Sequence, residues 1–410
     1  MMRVGVGMDG MVLRSQHENP AYHRRMTRIA ILLFAIAACA ALPLAAQKPC
    51  TGATGKATEF VRVPGAPFEP VFSADGCEVF VSLTQQGEIA VLRRKGRSFD
   101  LDRIVRIGGH PTGMVLTHDG RTLIAANADA VDLLDVRILE TGQGEPVRAR
   151  LGAGQLQSAI YVNVTADDRT LLVSDERGAA VLVFNLNDSS YLGDIPVGRA
   201  PIAVTLSPDG RWLYTTSELA PPALHWPNTC AAQAAAGRGG AAVMPAGVIQ
   251  VADMAKVVSD PQHAVISTVA AGCSPVRLAL SPDGSTAYVT ARTDDQVLAF
   301  EAAGLRAGAA TPVRVRVGTA PVGIAVTPDG QWVIATNSNR FAARGGTPDS
   351  TLDAVPAASF APGAAQPRVR IPAGEFPREL RFSPDGTTLA VTNFLSRQVE
   401  FVDLARALPR

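Results

Sequence analysis

The sequence is poor in the groups that most often announce chemistry. Aromatic residues make up 5% and charged residues 18% of 410 positions, histidines number only six, and the formal net charge is +1. Without a basic excess there is no field to hold a phosphate backbone, so nucleic acid is excluded as a partner. No Cys-x-x-Cys occurs, which removes the spacing of a c-type haem attachment or a zinc knuckle. No Gly-x-Ser-x-Gly occurs either, which removes the nucleophile elbow of the α/β-hydrolases. Neither a metal nor a cofactor is expected. Glycine (37) and proline (29) together are 66 of 410 residues, short of the roughly 25–30% that marks low complexity. Long apolar runs are equally scarce: Ile29–Ala46 is the one instance, so a polytopic membrane protein is excluded.

That run follows a short positive stretch, Met26-Thr27-Arg28, and closes on Ala45-Ala46-Gln47. This is the anatomy of a secretory signal peptide. The competing reading is a single membrane anchor, because about 18 residues approaches spanning length; Pro43 and the small residues at its end favour cleavage. Residues 1–25 do not fit ahead of a signal, so Met26 is expected to be the true start. Ile36-Ala37-Ala38-Cys39 resembles a lipoprotein box, but the apolar residues after Cys39 oppose it. The expectation is an extension and signal over residues 1–46, and a periplasmic or secreted chain from near Gln47 with no membrane span.

What the sequence has in abundance is repetition. Asp-Gly recurs at Asp75, Asp119, Asp209, Asp283, Asp329 and Asp385, with Asp167-Asp168 as a degenerate seventh copy. Eight residues before six of these stands a proline (Pro67, Pro111, Pro201, Pro275, Pro321, Pro377), and Ala159 takes that place in the seventh. After each Asp comes a β-rich tetrad: FVSL, IAAN, LVSD, YTTS, YVTA, IATN, AVTN. Third and fourth strand-like runs follow, as in QVLAF (296–300) and VRVRVG (313–318). Each unit therefore reads as four short strands separated by turn chemistry. The steps between Asp positions are 44, 48, 42, 74, 46 and 56, mostly the length of a propeller blade. The prediction is an all-β, seven-bladed β-propeller of four-stranded antiparallel blades, one domain over 47–410. The last repeat supplies three strands before the chain stops, and Thr58–Val63 is the available fourth, so the N-terminal strand is expected to close the ring.

These motifs, a proline followed by (Ser/Thr)-Pro-Asp-Gly and Tyr-Val-Thr-Asn-like tetrads, resemble the YVTN-repeat family of seven-bladed propellers, related to the lactonase-type propellers. The resemblance covers roughly 57–405. It implies that ligands sit at the channel mouth on the face away from the Asp-Gly turns. Candidate residues there are Glu69, His110, Tyr161, Arg277, Arg378 and Glu379 near the prolines, and Glu218, Arg340 and their neighbours Arg292, Asn339, Phe341, Asn393 and Phe394 after the tetrads. Two readings stand: arginine and glutamate pairing across blade tops, or a partly cationic pocket for a small anion or sugar acid.

The long step of 74 marks an insertion, 218–246, placed to fold over the mouth as a lid or to remain a loose Ala/Gly loop; His225-Trp226 and a cysteine lie within it. Cys39 leaves with the signal, and the four remaining cysteines suggest disulfides in an exported chain. Topology pairs Cys230 with Cys273 and Cys50 with Cys77, free buried thiols being the other reading.

Three functions follow. One is a monomeric binding module whose partner is a small anionic or sugar-like ligand or a protein. The second is a lactonase-like hydrolase; those propellers carry Pro-Arg-His, whereas Pro275-Val276-Arg277 and Pro377-Arg378-Glu379 lack the histidine. The third, by fold analogy, is an accessory subunit of a periplasmic redox enzyme.

Overall fold

The computed structural model describes residues 49–231, 243–340 and 350–409. The expected signal segment with Met26 and Cys39, Phe341 and the middle of the insertion lie outside the described residues. Seven four-stranded antiparallel sheets form the blades. They span 67–106, 111–151, 159–196, 199–270, 275–316, 321–372, and 377–403 with Thr58–Arg62. Among the described residues no helix is long and apolar enough to cross a membrane.

Each blade is apolar on both faces and can hide neither alone. The core is accordingly a set of layers between neighbours: Ile334, Leu352 and Ala354 of the sixth blade pack on Leu389, Val391 and Val402 of the seventh. The ring closes through the N-terminal strand. Thr58–Arg62 pairs antiparallel with Gln398–Val402 of the last blade, and Val61 and Val63 share a buried cluster with Phe99 and Phe401.

The repeated polar residues have local work. In the turn of the first blade, the Gly76 amide donates to the Ser73 carbonyl and the Ser73 hydroxyl donates to Asp75. Gly76 has φ +72°, a left-handed backbone that glycine adopts without a Cβ clash. The same hydroxyl-to-aspartate bond recurs from Thr117, Thr165, Ser207, Ser281, Thr327 and Ser383.

The third residue of the tetrad does something different. The hydroxyl of Thr290 accepts from the Arg277 amide in its own blade and donates to the Val322 carbonyl of the next. Ser82, Ser174, Thr216, Thr336 and Thr392 donate to the following blade in the same way. Only the second blade differs, with Ala126; there Thr112 reaches the Ala126 and Ala159 carbonyls instead. A buried Ser/Thr is thus the stitch between blades.

The second strand of the fourth blade runs Trp212–Leu219, so Glu218 lies within a strand and the insertion starts two residues later. Its described part includes a ribbon of Asn228–Ala231 with Val243–Pro245. Disulfides join Cys230 to Cys273 and Cys50 to Cys77.

Candidate ligand site at the channel mouth

Each innermost strand enters the channel at its proline and leaves at the Asp-Gly turn. The second residue after the proline position forms a ring around the axis: Glu69, Gly113, Tyr161, Ala203, Arg277, Gly323 and Glu379. Glycine is needed in this ring, since a Cβ on Gly113 would stand 2.3 Å from Tyr161 Cδ1.

The charged members of the ring bind one another. Arg277 Nε donates to Glu379 Oε2 at 2.9 Å, and its Nη2 stands 3.8 Å from Glu69 Oε2. The Tyr161 hydroxyl donates to Glu379, and the Arg277 guanidinium stacks on the Tyr161 ring. Arg381, one strand repeat below Glu379, places Nη2 2.6 Å from Glu69 Oε1. That close approach makes an ion pair without the angle of a hydrogen bond, because neither Glu69 oxygen has a hydrogen-bond partner among the described residues. Glu69, Arg277 and Glu379 are all buried. Burial pushes the Glu69 carboxyl up to about 7 against the pull of Arg381 and Arg277, and pulls Arg277 down to about 10. This network plugs the channel.

Above the plug is a cavity of about 300 Å³ lined by Tyr161, Glu176, Glu218, Arg292, Arg340 and Arg378 with Ile160, Ile202, Val276 and Val322. Arg292 Nη2 donates to Glu218 at 2.8 Å. Arg378 stacks on Phe68 at 3.8 Å and lies near the Phe376 and Phe394 rings. Its Nε is buried and has no hydrogen-bond partner among the described residues. Burial lowers the affinity of Arg378 for its proton. Arg340 is lowered to about 10, first by desolvation and then by repulsion from Arg292 and Arg378. Phe376, beside Arg378 and Arg340, has φ +55°. A left-handed backbone is uncommon for a bulky residue and is often retained where a site needs it.

The expected residues therefore separate into two groups. Arg340, Arg378 and Glu218 line the mouth; Glu69, Arg277 and Glu379 sit deeper, in the plug; Tyr161 touches both. His110 is exposed, with Nδ1 3.1 Å from the Thr84 carbonyl, and does not line the cavity. Glu176 and Arg381 were not singled out by sequence. Arg381 shares the strand face of Glu379 by the two-residue alternation, a signal that could have found it; Glu176 sits in a loop with no such marker. No group of acidic, histidine or cysteine side chains suited to a metal ion occurs among the described residues. The arrangement can hold an anion between guanidinium groups over an aromatic floor, with the Glu176 carboxylate beside it to accept from a hydroxyl.

No family model matches the sequence, and no curated protein matches it. Among solved structures the fold is similar to the hydrazine synthase of Kuenenia stuttgartiensis. The TM-score is 0.63 at 16% identity, over 83% of this chain and 97% of that one. At that identity the likeness concerns the propeller fold alone.

Proposed function

We propose that the chain is an exported, YVTN-type propeller that acts as a monomeric binding module, taking a small anionic or sugar-acid ligand at the channel mouth. The observation that carries this reading is Arg378: a guanidinium stacked on Phe68, its Nε buried without a partner among the described residues, beside Arg292 and Arg340. A buried donor left unsatisfied costs roughly 1–3 kcal/mol, which an incoming carboxylate would recover through charge-assisted hydrogen bonds. The two disulfides fit an oxidising compartment and so support export.

The test is calorimetry and thermal shift of the purified protein with sugar acids, inorganic phosphate and sugar lactones. Binding of a sugar acid that weakens at least about tenfold in Arg378→Gln supports the reading. Turnover of a lactone, lost in the same variant, would replace it with a lactonase-like hydrolase in which Glu176 or Glu218 activates water.

A further inference from the structure

Below the plug the channel opens again. A second cavity, of about 430 Å³, extends from Tyr161, Arg277 and Glu379 toward the Asp-Gly face. Its wall is the next inward-facing position of each innermost strand. Val71, Val115, Ala279 and Ala325 are apolar. The polar members of the same ring already have backbone partners: Asn163 donates to the Val204 carbonyl and accepts from the Val164 amide, and Thr205 donates to the Leu278 carbonyl. Val115, Ala279 and Ala325 are only half-buried at the centre of the ring, because no side chain fills the space in front of them.

The floor is unlike the wall. Arg277 is 7% exposed, and its Nη2 makes no hydrogen bond among the described residues. The Arg381 side chain is 45% exposed although the carboxylate it pairs with, on Glu69, is fully buried. Arg381 Nη1 donates to the Leu380 carbonyl and its Nη2 pairs with Glu69, so the donor left without a hydrogen bond is Arg277 Nη2, beside a second guanidinium half open to the same apolar-walled space.

We propose that this lower cavity is a second ligand site, taking a small organic carboxylate with an apolar body. The carboxylate lies against Arg277 and Arg381, and the body lies along Val71, Val115, Ala279 and Ala325. Glu69, Glu379, Arg378 and the Tyr161 hydroxyl also face this network. Three guanidinium groups, Arg277, Arg378 and Arg381, stand against two carboxylates, and burial raises the Glu69 carboxyl, so the floor has net positive charge for an anion to offset. The site is separated from the mouth by the plug and stands whether or not the mouth binds a sugar acid.

Titration calorimetry of the purified protein with acetate, butanoate and hexanoate tests it. Saturable binding that does not depend on the mouth is expected, tightening roughly fourfold for each added methylene that the wall covers. The double variant Ala279→Leu/Ala325→Leu fills the space from residues that face it, and should abolish binding while its thermal melt stays cooperative. Arg381→Gln should weaken binding about tenfold. Arg340→Gln, which alters only the mouth, should leave it unchanged. Absence of saturable binding, affinity indifferent to chain length, persistence in the double leucine variant or loss in Arg340→Gln would each overturn the proposal.

Discussion

Glu400 and Phe60 face each other across the ladder that closes the ring, at a position where two of the other blades place an aspartate against an arginine. In the second blade Asp132 meets Arg150, with Arg150 Nε 2.6 Å from the carboxylate; in the sixth, Asp353 meets Arg370 at 3.2 Å. Glu400 is as buried as those aspartates but has no cation against it: it accepts from the Asn393 amide near the Gly374 backbone, and its Oε1 has no hydrogen-bond partner among the described residues. Burial pushes its carboxyl up to about 7, well above the ordinary glutamate range. Below pH 4.5 it is protonated folded or unfolded and costs nothing. As pH rises toward 7 the unfolded chain releases this proton and the folded chain keeps it, so stability falls; above 7 the full cost remains, on the order of 3 kcal/mol. Glu400→Gln should therefore raise the unfolding free energy by roughly 2–3 kcal/mol at pH 8 and hardly change it at pH 4, by denaturant titration. Phe60→Arg, which supplies the partner found in the second and sixth blades, should give a gain with the same pH dependence. Equal effects of Glu400→Gln at both pH values would refute the account.

Thr392 carries the hydroxyl stitch across the closure, accepting from the Glu379 amide at 3.1 Å and donating to the Phe68 carbonyl at 2.8 Å. Thr392→Val keeps the shape and strands both groups in a buried seam. The expected loss is roughly 2–3 kcal/mol, read from chemical denaturation. A loss under about 0.5 kcal/mol, the size of an ordinary surface change, would mean that the stitch contributes only geometry.

The architecture was legible because every blade repeats the same solution to the same problem. Proline, hydroxyl-x-Asp-Gly and the tetrad are each tied to a strand end or a turn, so spacing alone locates them. The closing strand was legible for the same reason: Thr58–Val63 has the pattern of the strand that the last repeat lacks. The site was less so. Glu69 and Glu379 are 310 positions apart and meet only because the ring closes. Whether a residue after the proline faces mouth or channel depends on a bulge in the first strand pair, seen between Pro67 and Pro70 and between Pro377 and Leu380. Alternation counted across a bulge misplaces the side chain.

Removing residues 47–63 should abolish cooperative folding. The deletion takes away all five pairs of the closing ladder and the buried Val61 and Val63, leaving Phe401 and Phe99 uncovered. A truncated protein that stays soluble and melts in a single transition would show that the ring does not need its N-terminal strand.

The plug should respond asymmetrically to mutation. Arg277→Met removes one cation and leaves Glu379 and Glu69 buried with less compensation, a change expected to cost roughly 3–5 kcal/mol. Adding Glu69→Gln and Glu379→Gln to the same chain removes the stranded charges and should recover most of that loss. Thermal melts of the single and triple variants measure this, and a triple variant no more stable than the single one would argue against the ion network as the source.

The two disulfides should be separable by what they touch. Cys273 and Ser274 accept from the Thr293 and Arg292 amides, so the bond from Cys230 anchors the turn that carries Arg292 as well as the insertion. Glu218, at the base of that insertion, pairs with the same arginine. The sequence separation of 43 corresponds to roughly 4 kcal/mol of loop-closure entropy as an upper value. Cys230→Ala/Cys273→Ala should lose roughly 2–4 kcal/mol and also weaken anion binding at the mouth. Cys50 and Cys77 lie beside the Asp75-Gly76 turn on the opposite face, with a separation of 27. Cys50→Ala/Cys77→Ala should cost a similar amount of stability and leave mouth binding as it was. Equal effects of the two variants on binding would show that the insertion does not position Arg292.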